Sequence, residues 1–291
     1  MAEGVETRRS KSIQTGLVPA LQVASEAAIE HAPNGIVYAV FGEIGIDAGD
    51  LARIIQAVPR DIAAALVANT YFFVPLALAE SGAPPGPGHR SHAEETMIAA
   101  AYTPELAELA ICHRNVAFPA APDSAPDSAP DSKDAPEGVF ISTRLLSDRF
   151  SLAFEFFINV GHAFVDVAGV PAAFSDLAWA QAQADVRGET SQDAWESRGL
   201  ALAPHPTSPT AMHPAPRVDE KARLNFMESA FSDAVAIYLL SLSVDFDYSE
   251  LREREYPLLA PQALAERLRL IARLFPPNQT YEFAIRYRRR A

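Results

Sequence analysis

Cysteine is almost missing from this 291-residue chain. Cys112 stands alone, so no intramolecular disulfide can form and no Cys-rich metal site can be built. The expectation is a reducing, cytoplasmic setting. Glycine is sparse as well, 14 scattered residues with no G-x-G-x-x-G or Walker spacing, which removes the usual phosphate-cradling loops. No nucleophile elbow around a serine occurs. Positive charge is in deficit: 24 Lys and Arg against 37 Asp and Glu give a net charge of −13. Phosphate backbones would be repelled, so nucleic acid is excluded as a main partner. The C-terminal run from Arg286 to Arg290 is the local exception and reads as a solvated tail. The N-terminal residues 1–16 carry charge with no apolar segment behind it, so a disordered N-terminus is expected rather than a secretory signal. Long apolar runs are also rare. The one candidate of spanning length, Phe150 to Val170, contains Glu155 and Asp166. A carboxylate inside a span costs about 2.5–3.5 kcal/mol, so a buried helix of a soluble protein is expected and no membrane contact.

What is present is a chain half hydrophobic by composition, enough for a sizeable core. Leu17 to His31 reads as an amphipathic helix and Gly35 to Phe41 as a strand. Asp50 to Val58 reads as a helix. Pro59 then opens a second one to about Ser81, apolar almost all round and so buried. Thr96 to Tyr102 has the makings of a strand. "TPELAELAICH" begins with Thr103 as N-cap and Pro104 at the first helical position, a helix start. Cys112 and His113, as neighbours on such a helix, would point about 100° apart and make no catalytic dyad. "APDSAPDSAPDS" repeats a four-residue unit and lacks any large apolar residue, so a disordered insertion is expected at about 119–137. A second irregular stretch is expected at about 187–216. Long helices are expected from Asp219 to Val244 and from Pro261 to Phe275, the latter stopped by Pro276 and Pro277.

The centre of the chain carries the chemistry. Gly138 to Thr143 alternates and is rich in β-formers, so it reads as a strand, and Ser147 is placed to cap the helix after it. On that helix Ser151, Glu155, Asn159, His162 and Asp166 fall in one stripe, since residues three and four apart share a face. Their neighbours are apolar. A polar seam in an apolar helix must find partners, because each unpaired buried group costs about 1–3 kcal/mol. Glu155 has two readings: a carboxylate paired with an arginine, or a metal ligand. Phe154, Phe156, Phe157 and Phe164 read as core. His89, His92, His113, His205 and His213 are remote from the stripe in sequence and are set aside.

Strand, short loop, and a helix reading Ile158-Asn159-Val160-Gly161-His162-Ala163-Phe164 resembles the glutamate-type zincin metallopeptidases, whose helix carries H-E-x-x-H in forms such as HELGHAL or HEVGHAF. The resemblance covers roughly 138–171 and a later helix. It implies one zincin-like α+β domain over 17–291, mostly helical, with a small sheet packed on the motif helix. It also implies where zinc would be held, by two histidines one turn apart and an acidic residue from the later helix, with a glutamate activating the metal-bound water. The first histidine position is Ile158, which has no lone pair. The glutamate position is Asn159, whose amide is no useful base near neutral pH. The later pattern E-x-x-x-D-x-x-A falls on Ser229 to Ala236, with Ser229 at the ligand position and Asp233 retained in support. Glu228 lies one residue away, rotated about 100° round the helix.

A catalytic zinc needs about three protein ligands and an open position. His162, with Glu228 or Glu155, falls short, so no cofactor is expected and no residue is assigned to catalysis. The expected arrangement is a buried polar network of Glu155, Asn159, His162, Glu228 and Asp233, with His162 facing Asp233. The functional expectation is a pseudoenzyme with a binding, regulatory or scaffolding role and a protein or peptide partner. The resemblance further implies that an extended peptide would pair with the edge of the strand before the motif helix, here Gly138 to Thr143. The alternative is a metal-dependent hydrolase with zinc on relocated ligands drawn from Glu155, His162, Glu228 and Asp233.

Overall fold

The computed structural model describes residues 16–78, 91–92, 96–118, 137–146, 148–203, 218–248, 251 and 256–285. The expected disordered N-terminus and most of the expected 119–137 insertion lie outside these residues, as does Ser147. The class is α+β, and the chain divides into two compact units, residues 1–156 and 157–291, with the division inside the motif helix.

The first unit holds both sheets. In chain order its elements are β1 (Leu17–Pro19), α1 (Ala20–Glu26), β2 (Ile29–His31), β3 (Val37–Val40), α2 (Ala48–Gln56), α3 (Arg60–Ala65), β4 (Asn69–Val74), β5 (Leu76–Leu78) and β6 (Ser91–His92). There follow β7 (Met97–Ala99), α4 (Pro104–Ala107), β8 (Ala110–Ile111), β9 (His113–Ala117), β10 (Glu137–Ser142) and the start of α5 (Arg149–Ala168). One sheet runs β1-β7-β5-β8 and the other β2-β3-β4-β10-β9-β6. In the larger sheet β3, β4 and β10 are parallel, and α2 and α3 make the crossover between β3 and β4. Asp47 caps α2 by accepting from the Gly49 and Asp50 amides.

The expected helix through Ser81 is corrected here. Arg60–Ala65 is helical, but Asn69–Val74 is the central strand β4. β4 has Phe72 and Val74 in the core shared with Phe140 and Val116, while Tyr71 and Phe73 receive the Phe156 ring of α5 at 5.1 and 5.6 Å. A strand buried on both faces is apolar at every position and shows no period-2 signal. The Leu17 to His31 helix is also shorter than expected: β1 precedes it, pairing with β7, and it ends at Glu26. The helix starting at Thr103 stops after one turn, and the sequence ending in Cys112 and His113 turns into β8 and β9.

Gly138 to Thr143 is largely the strand β10, as its alternation suggests, yet it is not an edge. It pairs in parallel with β4 and antiparallel with β9, so its hydrogen-bonding sides are taken and the expected peptide pairing there is overturned. At its end the buried Ser142 hydroxyl accepts from the Ala77 amide at 2.7 Å and donates to the Ile111 carbonyl at 2.5 Å. This ties β10 to the smaller sheet.

The second unit is helical: the rest of α5, then α6 (Ala172–Gln183), α7 (Gln192–Leu202), α8 (Glu220–Ser243) and α9 (Pro261–Leu274). Phe164, Phe174, Phe231 and Phe275 meet in its core, with Phe174 and Phe231 ring centres 4.8 Å apart. The expected irregular stretch at 187–216 is corrected in its first part: α7 occupies Gln192–Leu202, capped by the Ser191 hydroxyl accepting from the Ala194 amide, while 204–216 lie outside the described residues.

The loop before α7 is held by charge. Glu189 is fully buried, and so is Arg267 of α9. Arg267 donates from Nη1 to Glu189 Oε2 at 2.9 Å and from Nε to Gln181 Oε1 at 2.8 Å. Arg198 of α7 donates to Glu189 Oε1 at 3.3 Å and to the Val186 and Gly188 carbonyls at 2.7 and 3.1 Å. The Glu189 backbone is bridged to Leu258, its amide donating to the Pro257 carbonyl and its carbonyl accepting from Leu259. Gly188, at φ 78°, lets the Leu258 carbonyl approach to where a Cβ would sit only 2.1 Å away.

Buried charge of this kind is costly to unpair. Glu189→Gln leaves two buried guanidinium groups short of their counter-charge and is expected to lower stability by about 3–5 kcal/mol. Glu220→Gln, in the exposed pair with Arg223 at 3.4 Å, should cost no more than about 1 kcal/mol. Denaturant unfolding of both variants checks the contrast.

Candidate functional site

The motif helix α5 starts where Asp148 accepts from the Ser151 amide at 2.8 Å and from its hydroxyl at 2.9 Å. The later helix α8 starts at Asp219, which accepts from the Ala222 amide. The two cross at Gly161. A Cβ placed there would lie 2.5 Å from the Ser232 carbonyl oxygen, so the absent side chain lets the backbones come together. Beyond the crossing Phe164 packs on Phe231 at 6.2 Å. One residue past each contact point come His162 and Asp233.

Asp233 is the most constrained titratable group of this site. Its Oδ2 accepts from the Thr190 hydroxyl at 2.9 Å, and the Ser191 hydroxyl bonds it as well. Burial pushes its carboxyl above the usual range. The two hydroxyls and the charge of His162 pull it back in part, while Asp193 adds to the rise. His162 itself is exposed. The satisfied buried histidine expected from the sequence is therefore corrected: the imidazole faces solvent and acts on Asp233 through its charge.

The other expected members are placed as follows. Asn159 is buried at 5 % exposure and Ile158 is half-buried. Ser229 is half-buried, and its carbonyl accepts from the Ser232 hydroxyl at 3.0 Å. Glu228 is exposed on α8 and so is no part of a buried network. Glu155 belongs to the first unit, where its Oε1 lies 2.5 Å from His113 Nδ1. The partner seen at this oxygen is the histidine of β9 that sequence distance had set aside. Cys112, at the corner between β8 and β9, feels the same carboxylate: partial burial and Glu155 both push its thiol up, away from the reactive thiolate.

Sequence reasoning missed Thr190, Ser191 and Glu189. The dipeptide Thr190-Ser191 ahead of α7 was a readable helix-start signal. Its reach to Asp233, 43 residues on, was not. Among the described residues no group of three or more His, Cys, Asp or Glu side chains converges to hold a metal. The site offers an exposed imidazole beside a carboxylate with hydroxyl donors. That arrangement can bind by charge and hydrogen bonding, and it is short of the three ligands a catalytic zinc takes. No protein-family model, curated protein or solved structure matches the chain.

The raised carboxyl of Asp233 fixes a sign. Its folded value lies above the ordinary 3.8, so between the two values the folded state holds more protons than the unfolded chain, and stability falls as pH rises through that window. Asp233→Asn removes this term. Relative to the variant, wild type is expected to lose stability as pH climbs from about 4 towards neutrality, measured by denaturant midpoints across pH. An unchanged difference over that range would contradict the assignment.

Proposed function

We propose that the chain is a zincin-like scaffold that has lost peptidase catalysis and works by binding, as a regulatory or scaffolding protein with a protein or peptide partner. The observation that carries this reading is the helix crossing itself. The contact between Gly161 and Ser232 supports a motif helix and a later helix meeting as the resemblance implies. Yet Ile158, Asn159 and Ser229 occupy the positions where that resemblance puts a ligand, a base and a ligand. His162 and Asp233 are what remains at the crossing, where the histidine influences the carboxylate electrostatically.

The reading with relocated ligands draws no support from the same geometry. Glu228 is exposed, and Glu155 is engaged by His113. We also place the protein in the cytoplasm, on the strength of its single cysteine. One described helix, α5, is long and apolar enough to cross a membrane, and half of its most apolar stretch is buried within the fold, as in a core helix.

Metal analysis of the purified full-length protein tests the proposal. The expected result is well under one zinc per chain after exposure to excess zinc and desalting, unchanged by His162→Ala, with no hydrolysis of denatured casein. One zinc per chain, removed by chelator together with a peptidase activity, would overturn it.

A further inference from the structure

We infer that the buried Arg267–Glu189–Arg198 cluster is the positioning device of the Asp233 carboxylate, acting from α9 and α7 through the loop before α7. The chain of contacts is continuous and lies wholly in the second unit. Arg267 grips both oxygens of Glu189 and Arg198 grips one of them. Arg198 also holds the Val186 and Gly188 carbonyls just upstream. The Glu189 amide and carbonyl are pinned on the strand-like stretch around Leu258 that leads into α9. With side chain and backbone of Glu189 both fixed, the next two residues have little freedom. Thr190 directs its hydroxyl to Asp233 Oδ2, and Ser191 divides its hydroxyl between Asp233 and the first turn of α7.

A charge cluster of this size is an expensive way to hold an ordinary loop, because desolvating ions is seldom repaid by their pairing. Its value here is orientation. The planar fork of arginine fixes direction as well as distance, which a lysine or an apolar contact would not. The inference goes beyond the proposed loss of catalysis and does not depend on it, since it concerns how the carboxylate is aimed and not what it binds.

The test reads Asp233 directly, by the pH titration of its side-chain carboxyl 13C resonance in the full-length protein, assigned by its loss in Asp233→Asn. The groups facing that carboxylate are the Thr190 and Ser191 hydroxyls, His162 from α5 and Asp193 from α7. Thr190→Val removes one donor to the charged form and is expected to raise the midpoint by about half a unit to one unit. Arg198→Lys keeps the charge but loses the fork, and should raise the midpoint in the same direction. The double variant should raise the midpoint by less than the sum of the two single changes, because the Thr190 hydroxyl is one of the two that Arg198 helps to aim. Arg267→Lys is a second arm, entering from α9. A folded Arg198→Lys or Arg267→Lys protein whose Asp233 midpoint equals wild type would overturn the inference. So would full additivity in the double variant.

Discussion

The carbonyl of Ser232 sits where any side chain on residue 161 would have to go. That steric fact governs the second unit. With glycine at position 161 the backbones of α5 and α8 touch, and the residues flanking the contact are fixed by the helices themselves. His162 follows Gly161 and Asp233 follows Ser232, so the pair is a consequence of the crossing and needs no loop to bring it together. The aromatic contacts of Phe231 with Phe164 and Phe174 then extend the same packing.

Around that crossing two kinds of order are layered. Apolar packing positions the helices without regard to direction, which suffices for Phe rings. Aiming a half-buried carboxylate takes hydrogen bonds, and those need fixed donors. Thr190 and Ser191 provide them from a loop whose own conformation is set by the fully buried Glu189 and its two arginines. The result is a carboxylate whose ionised form is opposed by burial and favoured by hydroxyls and by His162. The Glu155–His113 pair in the first unit is a separate feature, joining α5 to β9.

Much of this was legible in the sequence where one period dominates. The caps and stops of α8 and α9, the alternation of β10 and the polar stripe of α5 all carried local signals, and the aligned Gly161-His162 and Asp233 marked the crossing. What was not legible has physical reasons. β4 is buried on both faces, so "NTYFFV" is apolar at every step and imitates a core helix. α7 lies in a polar stretch with little amphipathic pattern, and it borrows its stability from the buried Arg198. The partners of Glu189 are 9 and 78 residues away, and Glu155 finds its histidine 42 residues upstream. No local rule reports such pairings. Exposure of His162 was likewise hidden, because the face a helix shows to solvent depends on what packs against it.

The account stands on the contact between Gly161 and Ser232, and one substitution reads it by sign. In a helix interior Gly→Ala ordinarily stabilises by about 0.5–1 kcal/mol, because glycine has the greater freedom to lose. Gly199 of α7, with nothing within 4 Å of a built Cβ, is the internal control and should show that gain. Gly161→Ala must push a methyl into the Ser232 carbonyl, so denaturant unfolding is expected to show a loss of about 1–3 kcal/mol. A Gly161→Ala protein as stabilised as Gly199→Ala would mean that the two helices do not meet there, and the central claim would be wrong.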